Sequence, residues 1–167
     1  TYTAITAANN HVLYLNGANN IHFRHIHIYA NGPAASSTAV RVENSRNIKI
    51  NNAHLEVKKA NNNINSSCLA LLPGVQNLYI DSSLFDNGYY SVRSQVAETG
   101  LNAGVYLSEN TLRNFWYNGI FLRTVNDISI RHNEVLGGNA GRALTGIYVA
   151  DVEGGVGIER NNVVLYD

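Results

Sequence analysis

The 167-residue sequence has no methionine, one cysteine, two prolines and only 14% charged residues. The single cysteine, Cys68, excludes a disulfide framework within the chain. Lys plus Arg and Asp plus Glu each number 12, so no net charge favours nucleic acid or an anionic membrane as a partner. No apolar run approaches the roughly 18 residues of a membrane span. We therefore expect no nucleic-acid partner and no membrane span. No sequence motif indicates a cofactor, so none is expected.

Two short apolar–x–apolar patterns recur six times in a fixed order. The first pattern occupies residues 13–15, 40–42, 69–71, 90–92, 120–122 and 147–149. The second pattern occupies residues 21–23, 48–50, 78–80, 105–107, 128–130 and 156–158. The ends of successive second patterns are separated by 27, 30, 27, 23 and 28 residues. Such regular spacing is typical of a solenoid repeat.

A third apolar position follows each second pattern by five residues. It holds Ile28, Leu55, Phe85, Leu112, Val135 and Val163. Alternating apolar residues turn one strand face inward, and parallel crossovers are almost always right-handed. The sequence therefore predicts an all-β fold: a right-handed parallel β-helix of about six rungs, with about 27 residues and three short strands per rung. Residues 1–167 form one domain with rungs at roughly 11–37, 38–65, 66–87, 88–117, 118–144 and 145–167.

A column of small or amide side chains is expected three residues after the second pattern. Its members are Ala53, Ser83, Asn110, Asn133 and Asn161. Stacked amides hydrogen-bond from rung to rung, so we interpret this column as structural. Because Thr1–Asn10 is typical of an earlier rung and neither end shows a capping helix, we expect a segment of a longer solenoid. Its ends would contact neighbouring rungs or assemble end to end.

Several phrases resemble the right-handed parallel β-helix repeat superfamily, which includes pectate and alginate lyases, glycoside hydrolases and bacterial surface proteins. They are Asn19-Asn20-Ile21-His22-Phe23, Val75-Gln76-Asn77-Leu78-Tyr79-Ile80 and Asn118-Gly119-Ile120-Phe121-Leu122. The resemblance implies the fold, an extracellular or cell-surface location and a polysaccharide partner. It does not imply an activity, because the repeat itself carries no chemistry.

Aligned rungs place Tyr14, Arg41, Ala70, Ser91, Phe121 and Tyr148 in one outward column of the first strand. Two residues further on, Arg93 and Arg123 are expected on adjacent rungs. Aromatic rings beside arginines suit stacking on sugars and pairing with uronate carboxylates. We therefore predict a glycan-binding surface of Tyr14, Arg93, Arg123, Phe121 and Tyr148. The alternative is an ordinary solvated strand face.

A long insertion, Ser94–Ala103, separates the first and second patterns of the fourth rung. Loops on a rigid scaffold are common places for binding and catalytic residues. The insertion contains Glu98, which is expected close to Arg93 and Arg123. These three residues are the candidate catalytic residues of a lyase or hydrolase. An ion pair between Glu98 and an arginine is the alternative interpretation.

Three further groups contain residue types that serve in metal binding or catalysis. Each also has an ordinary structural explanation. His25, His27 and His54 are candidate metal ligands, since His27 and His54 stack in this register. Glu109 and His132 are expected to be neighbours in another outward column. They are interpreted either as an acid–base pair or as part of a surface ladder of alternating charges. Cys68, without a nearby histidine in sequence, has little support as a nucleophile.

Two classes of function follow. The first is a non-enzymatic β-helical segment of a secreted or surface protein, a stalk or adhesin with polysaccharide binding on the first-strand face. The alternative is a polysaccharide lyase or glycoside hydrolase that acts on acidic glycans near Arg93, Arg123 and Glu98.

Overall fold

The computed structural model describes residues 10–32, 36–58, 63–95, 102–138 and 144–166. These residues form 18 strands and no helix, arranged as three six-stranded parallel sheets. Within these ranges, accordingly, there is no helix long and apolar enough to span a membrane. The predicted parallel β-solenoid with three strands per rung is confirmed.

Each rung contributes one strand to each sheet, in the same order. The first sheet contains β1 His11–Asn16, β4 Thr38–Glu43, β7 Ser67–Leu71, β10 Tyr90–Gln95, β13 Asn118–Arg123 and β16 Thr145–Ala150. The second sheet contains β2 Asn19–Arg24, β5 Arg46–Asn51, β8 Gln76–Asp81, β11 Asn102–Ser108, β14 Val125–Arg131 and β17 Val156–Glu159. The third sheet contains β3 His27–Ala30, β6 His54–Val57, β9 Leu84–Asp86, β12 Thr111–Arg113, β15 Glu134–Gly138 and β18 Asn162–Tyr166.

The core is a set of apolar columns that run along the solenoid. In the third sheet, Leu55 lies beside Ile28 on one side and Phe85 on the other. In the second sheet, Ile80 lies beside Ile50 and Leu107. All six side chains are at least 94% buried. The predicted registers of the second and third strands are confirmed in every rung, because each apolar pair lies next to its counterpart.

The predicted register of the first strand is wrong in the fourth rung. Residues 90–92 were expected to hold the inward pair, but Val92 and Ser94 lie beside Leu69 and Leu71 of the preceding rung. Ser94 is completely buried, and the side-chain amide of Asn102 donates to its hydroxyl at 3.0 Å. A serine with a buried partner replaces the expected apolar residue, so the inward-facing pair is displaced by two residues from the predicted one.

The predicted amide column forms a continuous internal ladder. The backbone N–H of each member donates to the side-chain oxygen of the next: Ala53 to Ser83 at 3.1 Å, Ser83 to Asn110 at 3.0 Å, Asn110 to Asn133 at 3.0 Å and Asn133 to Asn161 at 2.9 Å. The side-chain amide of Asn110 also donates to the carbonyl of Ile80 at 3.0 Å. The structural interpretation of this column is confirmed.

In each rung, a residue with a left-handed backbone conformation forms the corner directly before the position of the amide column. Its φ lies between 48° and 55° in all six rungs, at His25, Asn52, Ser82, Glu109, His132 and Arg160. This conformation costs a non-glycine residue about 1–2 kcal/mol. The interstrand ladder continues through the corner, where the N–H of Asn52 donates to the carbonyl of Asp81 at 3.2 Å. Hydrogen bonds between rungs therefore offset the strain of the bend.

We expect Asn110→Ala to destabilise the protein by about 3 kcal/mol. Asn110 is 2% exposed, and its loss leaves the N–H of Ser83 and the carbonyl of Ile80 buried without partners, at about 1–3 kcal/mol each. The measurement is the urea midpoint of unfolding followed by circular dichroism.

The matched control is Asn162→Ala, since Asn162 is an exposed asparagine in β18. Its expected effect is within about 0.5 kcal/mol. Equal midpoints for the two variants would contradict a stabilising role for the amide ladder.

Candidate functional site

The outward column of the first sheet differs from the prediction at one position. The corrected register places Arg93, not Ser91, between Ala70 and Phe121. The other predicted neighbours are confirmed, since Tyr14 pairs with Arg41 and Phe121 with Tyr148. Arg93 therefore lies directly beside Phe121, the nearer of two aromatic residues on successive rungs.

Phe121 and Tyr148 stack face to face on neighbouring rungs. Their ring centroids are 4.8 Å apart and their planes differ by 6°. The ring of Tyr90 continues the group at 5.3 Å from Phe121. Tyr148 is 41% exposed, so the stack is accessible from solvent.

Two further tyrosines extend the aromatic group, and sequence reasoning missed them. Tyr89 lies 4.8 Å from Tyr90 and 5.2 Å from Tyr117, measured between ring centroids. The backbone N–H of Tyr117 donates to the carbonyl of Tyr89 at 3.0 Å, because the two residues occupy equivalent places in successive rungs. Their separation of 28 residues, one rung length, was the available signal. We call Tyr89, Tyr90, Tyr117, Phe121 and Tyr148 the aromatic patch.

Arg93 joins the aromatic patch at its edge. Its guanidinium carbon lies 5.6 Å from the centroid of the Tyr90 ring, and one terminal nitrogen donates to the carbonyl of Ile64 at 2.8 Å. Burial lowers the pKa of Arg93 from its usual value, although an arginine remains charged at neutral pH. The site thus combines apolar ring surface with a partly desolvated cation.

Tyr14 lies at the other end of the first sheet. Its rung is four steps from that of Phe121, or roughly 19 Å at the usual strand spacing. The guanidinium of Arg41 covers its ring at 5.0 Å, and its hydroxyl donates to Glu43. That hydrogen bond is the main cause of a raised Tyr14 pKa. Tyr14 therefore belongs to a separate group with Arg41 and Glu43.

Arg93 and Arg123 lie on adjacent rungs as expected, but not in the same outward column. In the observed register Arg93 lies beside Phe121, and Arg123 lies beside Gln95. Arg123 instead forms an ion pair with Asp151, with Nε to Oδ2 at 2.5 Å. The reason is the two-residue displacement of β10. Glu98, the third catalytic candidate, lies outside the residues that the structure describes.

The predicted stack of His27 on His54 is confirmed, with ring centroids 4.3 Å apart. His25 occupies the left-handed corner and is not in the group of mutually close ligand atoms that His27, His54 and Glu56 form. The third member of this group is Glu56, whose carboxylate lies near both imidazoles. Burial lowers the pKa of His54, and the charge of His27 adds to the effect.

Glu109 and His132 occupy equivalent corners of successive rungs, and both are exposed. No hydrogen bond or ion pair joins them within the described ranges. Cys68 is fully buried, and this burial raises the pKa of its thiol. A thiol without solvent access and with a raised pKa is a poor nucleophile.

The second sheet carries a smaller aromatic pair that sequence reasoning also left out. Tyr79 and Tyr106 stack with centroids 4.6 Å apart, and the ammonium group of Lys49 lies 5.8 Å from the Tyr79 ring. No arginine lies beside this pair in the register of the second sheet as described. It therefore differs in charge chemistry from the patch on the first sheet.

No protein-family model matches the chain, and no curated protein or solved structure is significantly similar to it. Its architecture is defined by its own geometry: three parallel sheets, a repeated register and a buried amide ladder. The chain is a parallel β-solenoid.

Proposed function

We propose that this chain is a non-enzymatic β-solenoid segment of a secreted or cell-surface protein, a stalk or adhesin module that binds an acidic polysaccharide. The observation that carries the proposal is the position of Arg93 beside Phe121, whose ring stacks on that of Tyr148. The resemblance of the repeat to pectate-lyase-like β-helices supports both the glycan partner and the extracellular setting.

The chemistry of the aromatic patch suits a chain of sugar rings. Pyranose rings have apolar C–H faces, and packing them on Phe121 and Tyr148 removes apolar surface from water at roughly 25 cal/mol per Å². Two aromatic residues on neighbouring rungs offer a continuous contact along a polymer. A polymer with rings in series can therefore contact more of this surface than a single sugar can.

Arg93 gives the surface its preference for acidic sugars. A guanidinium forms two parallel hydrogen bonds with a carboxylate, and such charge-assisted bonds are stronger than neutral ones. Partial burial of Arg93 strengthens this attraction because less water screens it. The residue lies on a strand, held by Tyr90 and by the carbonyl of Ile64, so little ordering entropy is lost on binding.

The alternative, a lyase or hydrolase, requires a general base and a group that neutralises the substrate carboxylate. Arg123 was the predicted partner of Arg93 in that role, but Asp151 already balances its charge. The ion pair therefore favours binding over catalysis at this surface.

Tyr148→Ala is expected to weaken binding of polygalacturonate or alginate about tenfold, a loss of about 1.4 kcal/mol. The reason is the loss of an exposed ring from the stack with Phe121. The measurement is calorimetric titration of the purified chain with oligouronates of defined length.

Tyr79→Ala is the matched control. Tyr79 is 40% exposed against 41% for Tyr148, and each stacks on one aromatic neighbour. Binding within about twofold of the wild type is expected for this control. If Tyr79→Ala weakens glycan binding and Tyr148→Ala does not, the glycan binds on the second sheet and not at the aromatic patch. Release of an unsaturated, ultraviolet-absorbing product would establish the lyase instead.

Arg93→Gln is expected to weaken oligouronate binding about tenfold, while affinity for a neutral oligosaccharide of equal length changes less than twofold. Loss of the guanidinium should also reduce the dependence of binding on salt. Arg46→Gln, at an exposed position of the second sheet, serves as control and should bind like the wild type. Equal losses for acidic and neutral glycans would contradict recognition of the carboxylate.

A further inference from the structure

The third sheet carries a compact group of metal-ligating side chains away from the aromatic patch. His27 of β3 and His54 of β6 are direct neighbours in the parallel register. Glu56 follows His54 by two residues, so the alternation of the strand places it on the same face. We propose that His27, His54 and Glu56 form a binding site for Zn²⁺ or another divalent transition ion that prefers imidazole nitrogen.

The distances fit a small coordination sphere. Oε2 of Glu56 lies 3.2 Å from Nε2 of His27 and 3.7 Å from Nε2 of His54. One ligand atom from each residue lies within 4.8 Å of both others. Zinc bonds of about 2.0–2.1 Å in a tetrahedron separate ligand atoms by about 3.4 Å. Both measured distances are close to that value. The two rings are nearly parallel, with 4° between their planes, so a tilt of the rings toward each other on binding would direct both nitrogens at one ion.

Nε2 of His54 provides a second, independent observation. This nitrogen is buried and has no hydrogen-bond partner among the residues that the structure describes. A buried polar atom without a partner costs about 1–3 kcal/mol, and most such atoms in native proteins are satisfied. A metal ion held with His27 and Glu56 would give this nitrogen the partner that it lacks.

The donor set and its exposure favour a metal rather than an ion pair alone. Two imidazoles and a carboxylate are ligands that zinc commonly takes in proteins. The side chain of His27 is 54% exposed, which gives an ion access and leaves room for water as a further ligand. A simple His27–Glu56 ion pair would leave Nε2 of His54 unsatisfied.

The charged neighbours are already engaged and do not compete for the ion. Asp86 follows Glu56 in the next rung, but Arg113 donates to its Oδ2 at 2.7 Å and Asn114 donates to its Oδ1 at 2.8 Å. The ligands thus come from the first two rungs only. A bound ion would join β3 to β6 across a rung boundary, independently of glycan binding on the first sheet.

The test is calorimetric titration of the tag-free chain with Zn²⁺ alone, in a buffer that does not bind the metal. One saturable site per chain is expected. His54→Ala and Glu56→Gln should each weaken the affinity for Zn²⁺ at least about tenfold, since even outer-shell substitutions cost about 10–100-fold. Glu56→Gln keeps the volume of the side chain, so its loss of affinity cannot be attributed to unfolding.

His22→Ala is the matched control, because His22 is an exposed histidine of the same rung in the second sheet. It should bind Zn²⁺ within about twofold of the wild type. In addition, Zn²⁺ should raise the melting temperature of the wild type and of His22→Ala but not that of Glu56→Gln. The proposal is overturned if the wild type shows no saturable Zn²⁺ site. It is also overturned if His22→Ala or His25→Ala weakens the affinity for Zn²⁺ and Glu56→Gln does not.

Discussion

The hydrogen-bonded stacking of one rung on the next is the constraint on which the rest of the structure depends. Each strand pairs in parallel with its counterpart one rung away, and a slip of one residue would turn the whole apolar set outward. The buried ladder from Ala53 to Asn161 opposes such a slip, because each side-chain oxygen must accept from the backbone N–H of the rung before it. Packing and polar satisfaction therefore specify the same register.

Both candidate sites are consequences of that register. Residues one rung apart become side-by-side neighbours, so Phe121 meets Tyr148 and His27 meets His54 as stacked rings. The scaffold holds each pair before any ligand arrives, which reduces the entropy cost of binding. A solenoid thus converts a spacing in sequence into a rigid row of like side chains. Different sheets can carry different rows without interfering, as the aromatic patch and the histidine pair do.

The fold was predictable because a period of about 27 residues exposes the inward positions directly, and the amide ladder followed from the same alignment. The sites were less predictable, since the pattern assumed that only apolar residues point inward. Ser94 breaks that rule by burying a hydroxyl against Asn102, and the error moved Arg93 away from Phe121. Glu56 was the nearest carboxylate in sequence and was discounted as a ligand. Alternation places it on the same strand face as His54, but only the structure shows that its carboxylate lies 3.2 Å from Nε2 of His27.

The most direct test of this account is disulfide trapping across the fourth and fifth rungs. With Cys68→Ser as background, Arg93→Cys plus Phe121→Cys places two cysteines on paired residues, with Cα atoms about 4.8 Å apart, within disulfide range. Ser91→Cys plus Phe121→Cys places them about 8 Å apart, beyond that range. Rapid oxidation of the first pair and not the second is the predicted result. The reverse would restore the undisplaced register and remove Arg93 from the aromatic patch.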